Sequence, residues 1–245
     1  MLKGFWKLTW VEAKIVTREP MGLIGTLGMP VIIFVVLGRA VRGAQPQGDS
    51  LAQAPFNVPI LAALLITVSA VISLVAIISI YREGGILKRL RTTPLSPVTS
   101  LGAHVFIKLA FTVVGLGLLI LVGRQFLPGA LDVSLFGFAA ALLLGTASIL
   151  TLGFLIASLV PMARFAQPIT AAVLYPMIAL SGLFFPLDIL SRPLRMLALA
   201  FPTTHAVTLM QGIWDGAGWD LASVAALVLL SGAYTALATR VFRWE

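Results

Sequence analysis

The residues that could support catalysis or metal binding are few, and their spacing suits neither role. The two histidines, His104 and His205, lie far apart in the sequence, and the chain has no cysteine to join them as zinc ligands. Ser181 has no histidine or lysine evidently placed to activate it as a nucleophile. A phosphate-binding Walker A loop needs a Gly-Lys pair, and the sequence has none. These patterns argue against an enzyme, a zinc site and ATP binding by this chain.

The elements that must position the polar residues are predicted to be membrane helices. Hydrophobic residues make up 59% of the 245 residues and charged residues only 11%, against about 25% in an average soluble domain. Long runs without charge recur, and a helix needs about 20 apolar residues to cross hydrocarbon. The sequence therefore predicts an all-α integral membrane protein with one transmembrane domain, residues 1–245, and six spans at about 21–38, 58–80, 101–123, 134–160, 168–185 and 221–240.

The distribution of the cations predicts the orientation of these spans. With the N-terminus in the cytoplasm, eleven Lys and Arg residues fall in the inside segments and five in the outside segments. In membrane proteins the cytoplasmic loops carry the excess of Lys and Arg. Both termini are therefore predicted to be cytoplasmic. The net charge of +8 is interpreted as a topology signal rather than as a sign of nucleic-acid binding.

Two features inside the predicted spans have more than one interpretation. Lys108, with His104 one turn earlier, lies close enough to the cytoplasmic end for its ammonium group to snorkel to the interface. Snorkelling is favoured over a proton or ion role. Ala141 and Gly145 form a small-residue face that suits helix packing. Whether that face packs within one subunit or between two subunits stays open.

The first residues predict an amphipathic helix, 2–18, at the cytoplasmic interface. At 100° per residue its cations fall within a sector of about 60°; they are Lys3, Lys7, Lys14 and Arg18. Apolar side chains cover much of the remaining surface. The cations are expected to face phosphate headgroups or a cytoplasmic partner, and both roles stay open.

The segment after the fifth predicted span is rich in proline. Five of the 14 prolines lie between positions 168 and 202, and proline interrupts helices because it lacks an N–H donor. Residues 186–202 are interpreted as a re-entrant or interfacial helical hairpin on the outer side, since broken backbone at membrane depth must be buried in protein or line a cavity. The alternative is an ordinary outer loop with a short surface helix. The candidate outer gate comprises Gly182, Phe184, Phe185 and Pro186.

The longest predicted cytoplasmic loop, 81–98, has the composition of a short helix with two faces. The helix is predicted at about 83–91, and the prolines that follow would stop it. Its apolar face comprises Ile86, Leu87 and Leu90, and its basic face comprises Lys88, Arg89 and Arg91. Such a helix suits insertion into a groove of a cytoplasmic protein. The alternative is a solvated basic loop that serves topology alone.

Two stretches resemble the permeases of the ABC transporter type-2 family, the exporter class. The first is Tyr-Arg-Glu-Gly-Gly-Ile-Leu-Lys-Arg-Leu-Arg-Thr-Thr-Pro-Leu-Ser at 81–96, where Tyr81 replaces the glutamate usual at that position of the family's pattern. The second is Ser-Gly-Leu-Phe-Phe-Pro at 181–186, continued by Phe-Pro-Thr-Thr-His at 201–205. The N-terminal helix is also similar to the family, so the resemblance covers essentially the whole chain.

The resemblance implies a transporter subunit that does not itself hydrolyse ATP. Members pair two six-span permeases, copies or paralogues, with two separate ATP-binding cassette subunits that hold ATP and Mg. The helix at 2–18 would be the connecting helix that lies along the ATPase. The whole chain would be located in the bacterial cytoplasmic membrane. The loop helix would be the coupling helix in an ATPase cleft, where Glu83 and nearby cations would meet charged residues; its members are Arg82, Glu83, Gly84, Gly85, Leu87, Lys88, Arg89, Leu90 and Arg91.

The cargo implied by the resemblance is hydrophobic or amphipathic, a drug or a lipid, exported from the cytoplasm. An apolar lining would suit such a cargo, and its candidates are Met177, Leu183, Phe184 and Phe185. Three alternatives stay open: a polysaccharide or glycolipid exporter permease, a stand-alone carrier that depends on Lys108, and a scaffold or sensor subunit without transport. The chain itself is expected to hold no cofactor, and membrane lipids are a further expected partner.

Overall fold

The computed structural model describes residues 2–18, 24–43, 58–85, 97–126, 134–160 and 162–241. The regular structure in these ranges is helical, and no β-strand occurs in them. A π-helical turn, Ile24–Gly28, precedes α2, and a 3-10 turn, Leu187–Ile189, precedes α7. In chain order the helices are α1 (Leu2–Arg18), α2 (Met29–Gly43), α3 (Val58–Glu83), α4 (Pro97–Phe126), α5 (Leu135–Leu159), α6 (Ala163–Ala179), α7 (Arg192–Leu199), α8 (Pro202–Trp214) and α9 (Leu221–Val241).

Four of the described helices are long and apolar enough to cross a membrane, by length and composition. Their candidate spans are Ala63–Glu83, Gly102–Gly123, Leu135–Leu159 and Leu221–Val241. These coincide with four of the six predicted spans, and the prediction of an all-helical membrane protein is confirmed in this coarser form. The predicted spans at 21–38 and 168–185 correspond to the shorter helices α2 and α6, so six complete spans remain a prediction.

Helix α6 begins at Ala163 rather than near Pro168, where the sequence predicted its start. Pro168 and Pro176 both lie inside the helix. Proline has no backbone N–H and cannot donate a helical hydrogen bond. Pro168 lies in the second turn of α6, so only the first hydrogen bonds of the helix come before it. The helix therefore forms across this proline.

Helix α5 forms the centre of the core and lies against α3, α6, α8 and α9. Two glycines allow the closest approaches. A Cβ at Gly153 would lie 2.7 Å from Cγ1 of Val71 on α3, and a Cβ at Gly145 would lie 2.8 Å from Cβ of Ala206 on α8. Ala141, one turn before Gly145, is fully buried. The small-residue face of α5 therefore packs against α8 within the same chain, which settles the question left open by the sequence.

Hydroxyl groups also join α5 to its neighbours. The hydroxyls of Thr67 on α3 and Thr146 on α5 lie 2.9 Å apart, and both side chains are buried. The Ser148 hydroxyl donates to the Leu227 carbonyl of α9 at 3.1 Å. Hydrogen bonds of this kind between membrane helices contribute on average about 0.6 kcal/mol each. They fix the rotation of α3 and α9 about the central helix as well as their distance from it.

Helix α8 lies where the sequence predicts no element, between residue 202 and the last span. It runs antiparallel to the first half of α5: the rings of Trp214 and Phe138 meet edge-on with centroids 5.7 Å apart, and Ala206 lies against Gly145 further along. Pro202 occupies its first turn, where the missing N–H costs nothing. Burial against α5, rather than any local pattern, stabilises this helix.

Replacing Gly153 with alanine is expected to destabilise the protein by about 1–3 kcal/mol, because the added methyl group would overpack the α3–α5 contact. The measurement is the thermal unfolding midpoint in detergent. Gly117→Ala is the matched control, since a Cβ there meets nothing within 4 Å and alanine favours helix over glycine. Equal midpoints for the two variants would contradict close α3–α5 packing.

Candidate functional site

Arg82 lies near the end of α3, on the side that the charge distribution predicts to be cytoplasmic and that we call the inner end. Its Nη1 donates to the carbonyl oxygen of Val160 at 2.7 Å, and its Nη2 donates to that of Ala157 at 2.6 Å. Both acceptors lie at the C-terminal end of α5. There the last carbonyl groups have no partner within the helix, and the helix dipole favours a cation. The guanidinium group therefore caps α5 from a neighbouring helix.

Glu83, the last residue of α3, caps the next helix with the opposite charge. Its Oε2 accepts a hydrogen bond from the backbone N–H of Ala163 at 2.8 Å. Ala163 is the first residue of α6, and the N-cap residue Met162 makes no capping bond with its own side chain. A carboxylate suits this position because the first N–H groups of a helix are unpaired and the dipole is positive there. Two adjacent residues of α3 thus hold the end of α5 and the start of α6.

A turn of two glycines ends α3 directly after these residues. The N–H of Gly84 donates to the Ile80 carbonyl at 2.9 Å, and the N–H of Gly85 donates to the Arg82 carbonyl at 3.0 Å. Gly85 has a φ of +65°, a left-handed conformation that glycine adopts readily at the end of a helix. The chain therefore leaves α3 at a defined point, next to the two capping side chains.

The structure shows where α3 ends, and the predicted coupling helix, 83–91, stays a prediction. Arg82 and Glu83 belong to α3, which continues as one helix to the glycine turn, and their side chains hydrogen-bond to α5 and α6 of the same chain. The partners are 75 to 80 positions away in sequence, so no local pattern indicates them. Gly84 and Gly85 form the turn that ends α3. The remaining predicted members lie outside the described residues; they are Leu87, Lys88, Arg89, Leu90 and Arg91.

Lys108 belongs to α4, and its side chain lies against α3 and is only 7% exposed. Its Nζ donates to Oγ of Ser73 on α3 at 2.6 Å, so the ammonium group is directed at a neighbouring helix and not, as predicted, at the interface. The reason is that Ser73 offers a partly buried acceptor within reach, which offsets part of the desolvation of the charge. One turn earlier, the buried ring of His104 meets the ring of Tyr81 edge-on at 5.3 Å. Polar side chains therefore join α3 to α4.

The candidate outer gate follows α6 and is partly exposed. Gly182 has a φ of +87°, which favours glycine where the chain turns out of α6. Phe184 and Phe185 are 36% and 55% exposed. Met177 and Leu183, predicted to line a path with them, are 0% and 3% exposed and belong to the core. Met177, on α6, and Leu183, in the turn after it, pack in the core of the same chain, and a path lined by these residues stays a prediction.

Pro186, the last gate candidate, precedes the 3-10 turn and then α7. On this segment Asp188 and Arg195 form an ion pair at 3.3 Å whose side chains are exposed, so its contribution to stability is small. The helical content predicted for 186–202 is confirmed as the 3-10 turn and α7. Its course relative to a membrane remains a prediction.

The end of α7 is held by side chains from two other helices. The carbonyl groups of residues 198–200 accept hydrogen bonds, in order, from the Thr204 hydroxyl at 2.7 Å, His205 Nε2 at 2.9 Å and the Tyr234 hydroxyl at 2.8 Å. The last carbonyls of a helix lack intrahelical partners, and these three bonds supply them. The corner between α7 and α8 is thereby fastened to α9.

Asp220 begins α9 as its N-terminal cap. Its Oδ1 and Oδ2 accept from the backbone N–H groups of Ala222 at 3.2 Å and Ser223 at 3.1 Å. Hydrogen bonding to the Ser223 side chain is the main cause that lowers the pKa of Asp220, and the nearby His205 also lowers it. Within the described ranges, no three His, Asp or Glu side chains come together in a way that could hold a metal ion.

Residues 3–214 match a family model described as ABC-2 type transporter. The match includes α1, the capping residues at the inner end and the outer segment through α8, and it covers well over half of the chain. The chain belongs to the ABC-2 type transporter family. No curated protein matches it significantly. As a member of this family it is a membrane component of an ABC transporter, a class that works with an ATP-binding subunit.

The N-terminal helix of this ABC-2 transporter chain packs on α4. The rings of Phe5, Trp6 and Phe106 meet edge-on in pairs, with centroids 5.9–6.1 Å apart. The helix predicted at 2–18 is confirmed as α1, and its cations with described side chains are exposed; these are Lys7, Lys14 and Arg18. The side chain of Lys3 lies outside the described residues. Part of the apolar surface of α1 thus packs on α4, while Trp10 and Val11 are exposed together with the described cations.

Changing Tyr234 to phenylalanine is expected to lower stability by about 1 kcal/mol, because the Ala200 carbonyl loses its hydroxyl donor. The matched control is Tyr175→Phe, which alters a tyrosine that is 62% exposed. Thermal unfolding midpoints of both variants in detergent test the difference. A control variant that loses as much stability as the Tyr234 variant would refute the role of this bond.

Proposed function

We propose that this chain is the permease subunit of an ATP-driven exporter that moves a hydrophobic or amphipathic cargo, drug-like or lipid-like, out of the cytoplasm. The observation that carries the proposal is the family match over residues 3–214. Two ATP-binding cassette subunits would hold ATP and Mg. The chain would lie in the bacterial cytoplasmic membrane with both termini in the cytoplasm, in line with the distribution of its cations.

In this proposal the loop after Gly85 contacts the ATP-binding partner. The position supports this role, because the loop follows the inner end of α3 and a Cβ at Gly85 would meet nothing within 4 Å. The coupling residues would be the predicted set in that loop, Leu87, Lys88, Arg89, Leu90 and Arg91. Helix α1 would lie along the same partner as a connecting helix, with its basic face of Lys3, Lys7, Lys14 and Arg18.

A second permease, a copy or a paralogue, would cover one side of α6. Arg164, Gln167 and Tyr175 are exposed along that side, and both prolines of the helix interrupt its hydrogen bonding there. Polar side chains and freed carbonyl groups on a membrane helix are costly in contact with lipid and are found facing protein or water. This composition supports a protein contact or a cargo path on that side of α6.

The segment 186–202 would enter the membrane from outside, with α8 as the returning arm of a re-entrant hairpin. Tyr234 lies about 20 Å along α9 from the outer end of that helix, at 1.5 Å per residue. Its bond to the Ala200 carbonyl supports a corner at that depth. The contact of Trp214 with Phe138 supports a return to the outer start of α5. The hydrocarbon core is about 30 Å thick, so this corner would lie well inside it.

The outer gate of the proposed exporter would be built from the turn that links α6 to this hairpin. Gly182 gives the turn its left-handed backbone, and Pro186 ends it. Phe184 and Phe185 expose aromatic surface between these two residues. Exposed aromatic rings suit contact with an apolar or amphipathic cargo, which supports the proposed cargo class.

Tagged protein purified in mild detergent from its native host is expected to bring a stoichiometric ATP-binding protein with it. Replacing residues 86–96 by a Gly-Ser segment of equal length should abolish this association, because the replacement removes the cations and apolar residues of the loop. Mass spectrometry of the purified material provides the measurement.

The matched control for the loop replacement is Arg192→Ala/Arg195→Ala, which removes cations predicted to lie outside. It should keep the ATP-binding protein bound. A wild-type preparation without any ATP-binding protein would contradict the proposed function and favour a stand-alone carrier or a scaffold.

The double variant Phe184→Ala/Phe185→Ala is expected to reduce export several-fold, because each ring would lose apolar contact with the cargo. Binding and ATP hydrolysis by the partner should remain. Export into inside-out vesicles, measured per ATP hydrolysed, tests this. Phe136→Ala removes an 87% exposed ring at the start of α5 and is the control. Equal losses in both variants would count against a gate at residues 182–186.

A further inference from the structure

We infer that Arg82 and Glu83 are positioning residues that fasten the loop after α3 to the junction of α5 and α6, so that the inner ends of these three helices move as one unit. We call the two side chains, with the backbone groups of Ala157, Val160 and Ala163 that they bind, the inner clamp. The inference rests on the proposed function, since it concerns how motion at the loop would reach the membrane helices.

The arginine half of the clamp depends on the forked shape of the guanidinium group. Its two terminal nitrogens donate to two different carbonyls, those of Ala157 and Val160, at 2.6 and 2.7 Å. A lysine ammonium is a compact point charge without this planar fork, so it cannot reproduce both bonds in the same geometry. The two hydrogen bonds therefore require the shape of the arginine side chain as well as its charge.

The glutamate half supplies the hydrogen-bond acceptor that the N-cap residue of α6 does not provide. Met162 has no side-chain oxygen, so the N-terminal amide of Ala163 receives its acceptor from Glu83, 80 positions earlier. The bond needs an acceptor oxygen at the end of a two-methylene chain. A glutamine at this position would keep that oxygen and that reach while losing the charge.

The two charges are matched to the two helix ends that they meet. The end of α5 carries a partial negative charge and the start of α6 a partial positive charge. Arg82 binds the first and Glu83 the second. Exchanging the two residues would preserve the net charge and composition of the inner end but would place each charge at the unfavourable pole.

The clamp connects the loop to the two helices through which a movement would travel. Helix α5 lies against α3, α6, α8 and α9, so a shift of its end is transmitted into the core. Helix α6 leads through Pro168 and Pro176 to the turn at Gly182 and the outer segment. Further along the two helices, the Thr67–Thr146 hydrogen bond also joins α3 to α5, and the clamp adds charged contacts at the inner end.

A direct contact of Glu83 with a cation of the ATP-binding partner is the competing role, and the two roles make opposite predictions for Glu83→Gln. A hydrogen-bond cap tolerates glutamine, because the amide oxygen still accepts from Ala163. An ion pair with a partner does not tolerate it, because the charge is gone. Glu83→Ala removes the acceptor in both cases, so the comparison of the two variants discriminates between them.

The experiment uses the full chain with its co-purified ATP-binding partner in lipid nanodiscs. The chain has no cysteine, so Met162→Cys supplies a single nitroxide label beside the clamp, and its mobility is read by electron paramagnetic resonance. Export per ATP hydrolysed is measured in proteoliposomes. The variants are Glu83→Gln, Glu83→Ala and the exchange Arg82→Glu/Glu83→Arg. Asp215→Ala, which removes an exposed carboxylate away from the clamp, is the control.

The expected result separates the variants into two groups. Glu83→Ala and the exchange should free the label and lower export per ATP by about tenfold, as expected for a lost charged cap, while the ATP-binding partner stays bound. Glu83→Gln and the control should keep an immobilised label and most of the export.

Three outcomes would overturn the inner clamp. They are equal damage by Glu83→Gln and Glu83→Ala, a label at Met162 that stays immobilised in Glu83→Ala, and loss of the ATP-binding partner on Glu83→Ala. A preparation without any ATP-binding partner refutes the proposed function instead. In that case label mobility in the chain alone still decides whether the clamp holds the junction.

Discussion

The structure depends on one constraint: the last carbonyl groups and the first amide groups of a helix have no partner within that helix, so groups from elsewhere must satisfy them. This chain does so repeatedly with side chains distant in sequence. Arg82 and Glu83 complete the facing ends of α5 and α6, and Tyr234 completes the end of α7. Each such bond also fixes where one helix lies along another. The same hydrogen bonds therefore satisfy the helix ends and position the helices.

Close packing at α5 makes these end contacts act on a common framework. Gly145 and Gly153 bring α8 and α3 to the shortest approaches that backbone allows, and Thr146 and Ser148 add hydrogen bonds toward α3 and α9. In a membrane the hydrophobic effect does not drive helices together, so contacts between small residues and hydroxyl groups carry more of the association. A displacement at one end of α5 is thus shared among its neighbours.

The two ends of the molecule are built differently. At the inner end, charged side chains hold continuous helices at a two-glycine turn from which the loop leaves. At the other end, the chain is divided among the turn at Gly182, a 3-10 turn, α7 and α8, held by neutral hydroxyl groups, His205 and one exposed ion pair, Asp188–Arg195. For a membrane protein of the ABC-2 family, this contrast suits one firmly fastened end and one end with more segments that can rearrange.

The sequence by itself determined the membrane class, the positions of α3, α4, α5 and α9 and the amphipathic α1, because apolar runs and helical periodicity are properties of neighbouring residues. Only the tertiary structure decided that α3 includes Glu83, that Lys108 turns to Ser73, that Met177 and Leu183 are core and that α8 exists. Each of these depends on groups brought together from distant positions, up to 80 residues apart for Glu83 and Ala163. Burial and capping are set by such neighbours, and no local pattern of residue types encodes them.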